Sequence, residues 1–485
     1  MSISRSYQLI ILCGTVLTVY YSALCAPICI IDDQLLIFFY STELTLRNLL
    51  STFLSNAGYY RPLLGATFML DNYLWMMEES FLHLENVLLH GANALLLYAV
   101  AERLAKRAGI APSHGIPFIV ALLFALHPLA TESIDWISGR TDPLACLFLL
   151  FSFKFLLDWF EKPATGRLIW MQLCFLLACL SKETAVFFIG PALVLALVLR
   201  QNQVGWAKTQ LAHAESGDNR WAGDACPPYS WRCLLTSIRT DWPIYAAFVI
   251  TTVAYFALRI YSASMTAGGD RGMTKLTKYA TLEKADSLWF DKLMEVFRTI
   301  GFYSKKIVIP WPLNFNIVKV SDWYVLLGVA SLALLYRFCW RRRDLLSALL
   351  LSAYLVASSA LLVSVGRLAW TPYAERYLYI PLIFFIPASV LWLHEKIGTI
   401  RDGQLFRVVI ILLCGASLIT TVQRNLVWMD GAAFYECNYR QAPDLPITMK
   451  NYASSLRMQG RVAEANAIMK RLPKKARVEK GSLGK

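Results

Sequence analysis

The sequence predicts an all-α polytopic membrane protein, a bundle of about eleven transmembrane helices with a small C-terminal helical hairpin. Three observations carry this expectation. Of 485 residues, 57% are hydrophobic and only 16% are charged, against about 25% charged in ordinary soluble domains. Apolar runs long enough to cross roughly 30 Å of hydrocarbon as helices recur along the whole chain. Basic clusters fall in alternate connections between those runs, as the positive-inside rule requires.

The first apolar run, residues 8–30, follows Arg5 and resembles a secretory signal. It is longer than a usual signal core and has no clean small-x-small site, so it reads as a retained first span. Further spans are expected near 82–100, 116–130, 143–160, 168–180, 185–199, 242–259, 323–340, 345–365, 377–395 and 407–423. This count puts Arg5 and the connections 101–109, 161–167, 200–239, 341–344 and 394–407 in the cytoplasm. It puts Asp32-Asp33, "HPLATESIDWISGRTD" (127–142), "SKET" (181–184), "TPYAER" (371–376) and the C-terminal tail on the opposite face. Residues 261–320 also fall outside despite many Lys and Arg, and long loops translocate largely regardless of charge. Within them, "LMEVFRTIGFYSKKIVIPWP" reads as an interfacial or re-entrant helix with Trp311 at headgroup level.

The formal net charge of +14 is assigned mainly to cytoplasmic loops beside anionic lipid rather than to nucleic acid. The eleven cysteines show no metal or redox spacing. Most sit in apolar runs, Cys226 and Cys233 lie in a basic loop, and Cys25 and Cys29 read as packing residues. "MKNYASSLRMQGRVAEANAIMKRL" (449–472) reads as a helix–turn–helix about Gly460-Arg461, with Tyr452, Ala453, Leu456, Ala463, Ala465 and Ile468 at the seam. One tetratricopeptide repeat and a plain amphipathic hairpin fit it equally. Either must dock on the membrane body or on a protein partner. The chain thus divides into a transmembrane domain, 1–425, and a short helical region, 426–485.

Polar groups assigned to the outer face cluster beyond what short loops need. His83, Asn86, His90 and Asn93 share one face of the second span by their spacing. Such stripes face a bundle interior or a wet cavity, and plain interhelical hydrogen bonding explains these four equally well. The first loop offers Asp32, Asp33 and Arg61, and residues 127–142 add His127, Glu132, Arg140 and Asp142. Lys182, Glu183, Glu375 and Arg376 complete the set. Carboxylates deprotonate hydroxyls or hold divalent ions, and cations neutralise a departing phosphate. Sugar transfer from a lipid-linked phosphate needs both functions at the lipid–water boundary. A proton-coupled transporter would place its ionisable groups near the midplane, whereas these lie at span ends.

"YYRPLLGATFMLDNYLW", "FLHLENVLLHGANALLLY", "LFALHPLATESIDWISGRTDPLACLFLLFSF", "ACLSKETAVFF", "GFYSKKIVIPWPLN", "AERYLYIPLIFF" and "QRNLVWMDGAAFY" resemble, in order, blocks of the transmembrane O-mannosyltransferases with tetratricopeptide repeats and their bacterial relatives. The resemblance implies a GT-C glycosyltransferase with its site on the luminal or periplasmic face. It implies a polyprenyl-phosphate sugar donor and an inverting transfer to a hydroxyl acceptor. Asp32 and Asp33 are then the acidic motif of the first external loop, one of them the general base and both the candidate ligands of any divalent metal. Arg140 is the first candidate for phosphate contact, followed by Arg61, Lys182 and Arg376, with Glu132 and Glu183 orienting those cations. His83, His90, His127, Asp142 and Glu375 are supporting polar groups. One repeat, where the family carries many, leaves the acceptor open between protein Ser/Thr, glycan and lipid. The chain has no Asn-x-Ser/Thr sequon, which favours a bacterial inner membrane over the endoplasmic reticulum. The rival readings are a non-catalytic scaffold that recruits a partner through its terminal hairpin and a flippase for the lipid-linked sugar.

Overall fold

The computed structural model describes residues 4–29, 32–54, 59–111, 114–200, 231–265 (231–238 as backbone), 289–315, 317, 319–366, 372–400 and 403–472. Most of the basic 200–239 connection with Cys226, residues 266–288 of the 261–320 segment and the tail after Leu472 lie outside these residues, and the Cys233 side chain is likewise not described. The described chain is helical with no strand, only an isolated antiparallel bridge between Ile317 and Tyr373.

The helices run α1 (Arg5–Val19), α2 (Asp33–Tyr40), α3 (Leu46–Leu54), α4 (Pro62–Trp75), α5 (Glu79–Arg107), α6 (Ile116–Ala125), α7 (Thr131–Asp135), α8 (Thr141–Glu161) and α9 (Thr165–Ser181). α10 (Glu183–Arg200) opens with a 3₁₀ turn. There follow α11 (Trp231–Met265), α12 (Trp289–Val308), α13 (Trp323–Arg342), α14 (Leu345–Ala357), α15 (Ser359–Gly366), α16 (Leu382–Ile397), α17 (Gln404–Met429), α18 (Gly431–Gln441), α19 (Pro446–Met458) and α20 (Val462–Lys470).

Among the described residues eight helical segments are long and apolar enough to cross a membrane, or nine if α6 and the bent segment after it form one span. The other two expected spans coincide with α9, 17 residues, and α16, 16 residues, both short of the roughly 20 residues a full crossing takes. All eleven expected spans are therefore helical, but not all are of full length. α12 is not among the candidate spans. It carries Asp291, Lys292, Glu295, Arg298, Lys305 and Lys306 and crosses α13 where Gly301 and Gly328 meet backbone to backbone, leaving no room for a Cβ at either.

Local chemistry sets the ends of the elements. Lys106 and Arg107 close the last turn of α5 beside its orphan carbonyls, and Gly109, at φ +69°, lets the Ile110 N–H reach back to Ala105 O. Asp344 and Ser347 form a reciprocal capping box that starts α14 directly after the turn from α13. One apolar core runs through the bundle, with Phe175 against Phe248 and Phe153 against Phe384.

The polar loops gather at two ends of this core. At one end Arg5 pairs with Glu102, Lys106 with Glu161 and Arg342 with Glu395, joining the connections expected in the cytoplasm. The other end carries α2, α3, the 127–142 segment and the helices after α17. There α3 exposes Leu46, Leu50 and Leu54, four residues apart, and α2 exposes Leu35, Phe38 and Phe39. Apolar stripes on short helices beside charged groups fit a membrane surface.

Candidate active site

The 127–142 segment is the floor of the site, and four distant parts of the chain hold it. Asn86 of α5 donates from Nδ2 to Ile134 O (3.2 Å) and Trp136 O (3.0 Å). The Arg140 guanidinium is wholly buried. It donates from Nε to Asn86 Oδ1 (3.0 Å) and from Nη2 to Leu82 O (3.0 Å), pairs with Asp71, and reaches Glu85 at 3.2 Å. Glu132 accepts the backbone N–H groups of Glu375 (2.9 Å) and Arg376 (3.0 Å) and pairs with the Arg376 side chain. Gly139 is required because a Cβ there would meet Ser133 O at 2.8 Å and Glu132 O at 2.9 Å.

The fourth anchor is Asp33. One carboxylate oxygen accepts Ser138 N–H at 2.9 Å and the Ser138 hydroxyl, and the other accepts Cys29 N–H at 3.0 Å. Burial pushes its pKa up to about 7, Asp32 adds to the rise, and the Ser138 and Cys29 hydrogen bonds oppose it. Asp32 differs in every respect. It is exposed, its side chain makes no cap bond to α2, and its φ of +66° lies in the left-handed region. A non-glycine residue persists there only where its surroundings over-determine it, at a cost of about 1–3 kcal/mol. Asp33, locked on both sides, supplies that constraint.

The cations form a connected set. Arg61 holds Glu183 through two parallel bonds, Nε to Oε2 at 2.9 Å and Nη2 to Oε1 at 2.7 Å. Lys182 pairs with Asp142 at 2.5 Å and lies within electrostatic range of Arg61 and Arg376. The Arg376 guanidinium sits 5.0 Å from the Trp136 ring centroid. Arg61 and Arg376 are half-buried, with faces left for a ligand, whereas Arg140 has no accessible surface. The position first expected to touch a phosphate is thus an interior anchor for the loop, its charge taken up by Asp71 and Glu85.

The histidines are placed structurally. His90 Nε2 lies 3.2 Å from Ala125 O and must donate to it, so Nδ1 accepts from Tyr379 Oη at 2.8 Å. Asn93 donates to that same hydroxyl at 3.2 Å and to Pro143 O at 2.8 Å. His83 is buried facing the Ala26 segment, and His127 caps the next turn by accepting Leu129 N–H at 3.3 Å.

Several contributors escape a reading of the sequence alone. Asp71 and Ser138 are unremarkable in their motifs, yet they complete Arg140 and Asp33. Lys306 of α12 pairs with Glu375 at 2.5 Å, and Glu375 also accepts Asn314 N–H at 2.8 Å. Asp135, buried with neither oxygen hydrogen-bonded, lies within electrostatic range of Arg424 of α17. Isolated charged residues in apolar helices were the available signal for Asp71 and Arg424. Among the described residues no three His, Cys, Asp or Glu are grouped to hold a metal ion. Both Asp33 oxygens are already occupied, so this pair does not fit a two-carboxylate metal clamp.

The C-terminal helices close the site on one side. Trp136, Phe315, Trp428, Phe434, Tyr435 and Cys29 pack as one apolar cluster, with Phe315 edge-on to Trp136 at 5.4 Å. α19 and α20 form the hairpin, turning at Gly460 (φ +78°) over Ala453, Leu456 and Ala465.

Fold and site together define an all-α, multi-pass membrane protein with a charged, partly buried site at one end of its bundle. No family model matches the chain. It is 26% identical to the Mus musculus protein named protein O-mannosyl-transferase TMTC1 over 84% of this chain and 50% of that protein. It is 24% identical to the Drosophila melanogaster protein O-mannosyl-transferase Tmtc1 over 85% of this chain and 54% of that protein. A shorter match, 32% identical over 30% of this chain and 17% of the other, is to the Homo sapiens protein O-mannosyl-transferase TMTC1. The chain spans about half the length of the first two of these relatives. It is thus similar to proteins that carry the TMTC name, as its motif blocks lead one to expect.

Proposed function

We propose that this chain is a membrane glycosyltransferase that moves a hexose from a polyprenyl-phosphate donor to a hydroxyl acceptor at the non-cytoplasmic face. The names of its relatives support mannose as the sugar and a protein Ser or Thr as the acceptor. One observation carries the reading: Asp32 is exposed beside Asp33, which grips the 127–142 segment through Ser138, and Arg376 grips the same segment through Glu132. Asp32 takes the proton of the acceptor hydroxyl, and the oxygen attacks the anomeric carbon from the face opposite the phosphate. The bond from that carbon to the phosphate oxygen breaks, and its electron pair leaves with polyprenyl phosphate, which gains a second negative charge. Arg61 and Arg376 meet that charge, with Lys182 behind them. Asp33 is the positioning residue, and Arg140 holds the floor. The chain would act in a bacterial inner membrane, in keeping with its lack of sequons.

Purified full-length protein is incubated with a panel of polyprenyl-phosphate sugars and a Ser/Thr peptide. Polyprenyl-phosphate mannose is expected to yield glycosylated peptide and polyprenyl phosphate in equal amounts. Movement of the donor across a vesicle bilayer without bond formation would identify a flippase instead. No turnover with any donor in the panel would reject the reading.

A further inference from the structure

We infer that Lys305, near the C-terminal end of α12, holds the phosphate of the lipid-linked donor where the site meets the bilayer; this rests on the donor class proposed above. The neighbouring cations each already have a carboxylate partner, Lys306 with Glu375, Arg376 with Glu132 and Arg61 with Glu183. Lys305 is half-buried and, among the described residues, its ammonium has no hydrogen-bond or ion-pair partner. A partly desolvated ammonium without a partner is costly. An anion arriving with the substrate removes that cost.

Its surroundings specify what kind of anion. Val308 and Ile309 lie three and four residues on, so they share the helix face of Lys305. Both are exposed, at 64% and 57%, and Trp311 follows at 63%. Glu375, adjacent to Arg376, lies within electrostatic range of Lys305. One cation flanked by bare aliphatic and aromatic surface fits an amphiphile whose charge sits at the head of a hydrocarbon chain. A soluble sugar nucleotide would leave Val308, Ile309 and Trp311 unused. A polyprenyl chain covers them while its phosphate spans from Lys305 toward Arg376.

The test measures binding of polyprenyl phosphate to the full chain in detergent by native mass spectrometry, together with the donor KM in the transfer assay. The variants are Lys305→Met, Lys305→Gln and Lys305→Arg, with Lys319→Met, an exposed lysine in the next loop, as the control. Lys305→Met is expected to weaken binding and raise the donor KM about tenfold, with the acceptor KM unchanged. Lys305→Arg should stay within threefold and Lys319→Met should match wild type. Lys305→Gln replaces the Met variant if that one has a lowered melting temperature. Equal binding by wild type and the neutral variants overturns the inference, as does failure of wild type to bind. So does an equal loss of phosphatidylglycerol binding, which marks a bulk-lipid contact. Lys305-dependent binding without transfer by wild type rejects the transferase and keeps the lipid-phosphate site.

Discussion

The two polar ends of the bundle use charge in opposite ways. At the end expected in the cytoplasm the ion pairs at the rim stand in the open, as in Lys106–Glu161, where Lys106 is 78% exposed, and pairs such as Arg103–Asp158 keep an arginine in contact with water. At the other end Arg140 and Asp71 are both fully buried, and Lys306 and Glu375 are nearly so. Exposed pairs contribute about 0–1 kcal/mol each, so that end is explained by orientation in the membrane and by solubility. Buried pairs lose several kcal/mol per ion in desolvation and recover it only with good geometry and further hydrogen bonds. The contrast teaches that stability is not the reason for the charges at the second end. They fix one loop segment between helices drawn from the whole length of the chain.

The comparison is broken most sharply at Arg140. Arg140→Met leaves Asp71 buried without its cation, and the expected loss is about 3–5 kcal/mol, read as a fall in melting temperature and in yield of folded protein. Arg61→Ala acts on function instead: the transfer rate should fall on the order of 100-fold with a smaller change in melting temperature, because Arg61 is partly solvated. Asp33 sharpens the contrast through pH. Its folded pKa of about 7 lies above its unfolded value. Between about pH 4 and 7 the folded state therefore binds the extra proton, and stability falls as pH rises through that window, by a few kcal/mol at most. Asp33→Asn should flatten that slope in thermal melts taken across the window. The smallest effect is expected from Lys106→Ala at the open end, no more than about 0.5 kcal/mol, with no change in transfer.

Much of this architecture could be read in advance because hydrocarbon imposes a simple rule on a chain. Eleven apolar runs announced eleven helices, and the His83, Asn86, His90 and Asn93 spacing announced a shared interior face, where the structure buries all four. The charged motifs named loops that the structure brings together at one end of the bundle, Asp33 on Ser138 and Glu132 on Arg376. What the sequence did not carry was partnership. Arg140 looks like a ligand-binding arginine until α4 brings Asp71 against it from 69 residues away. Asp32 and Asp33 are indistinguishable as letters, and only the Ser138 and Cys29 contacts separate a locked carboxylate from a free one. The start of α16 also escaped, because a hydropathy window blurs it against the short turn at Ile380.

The most direct measurement compares the transfer rates of Asp32→Asn and Asp33→Asn at saturating donor, with folding checked by melting temperature. If Asp32 is the base and Asp33 its anchor, Asp32→Asn loses at least about 100-fold while melting as wild type does. Asp33→Asn should retain measurable transfer and show the altered pH dependence of melting. Full activity in Asp32→Asn, or a complete loss confined to Asp33→Asn with normal folding, would contradict this account of the site.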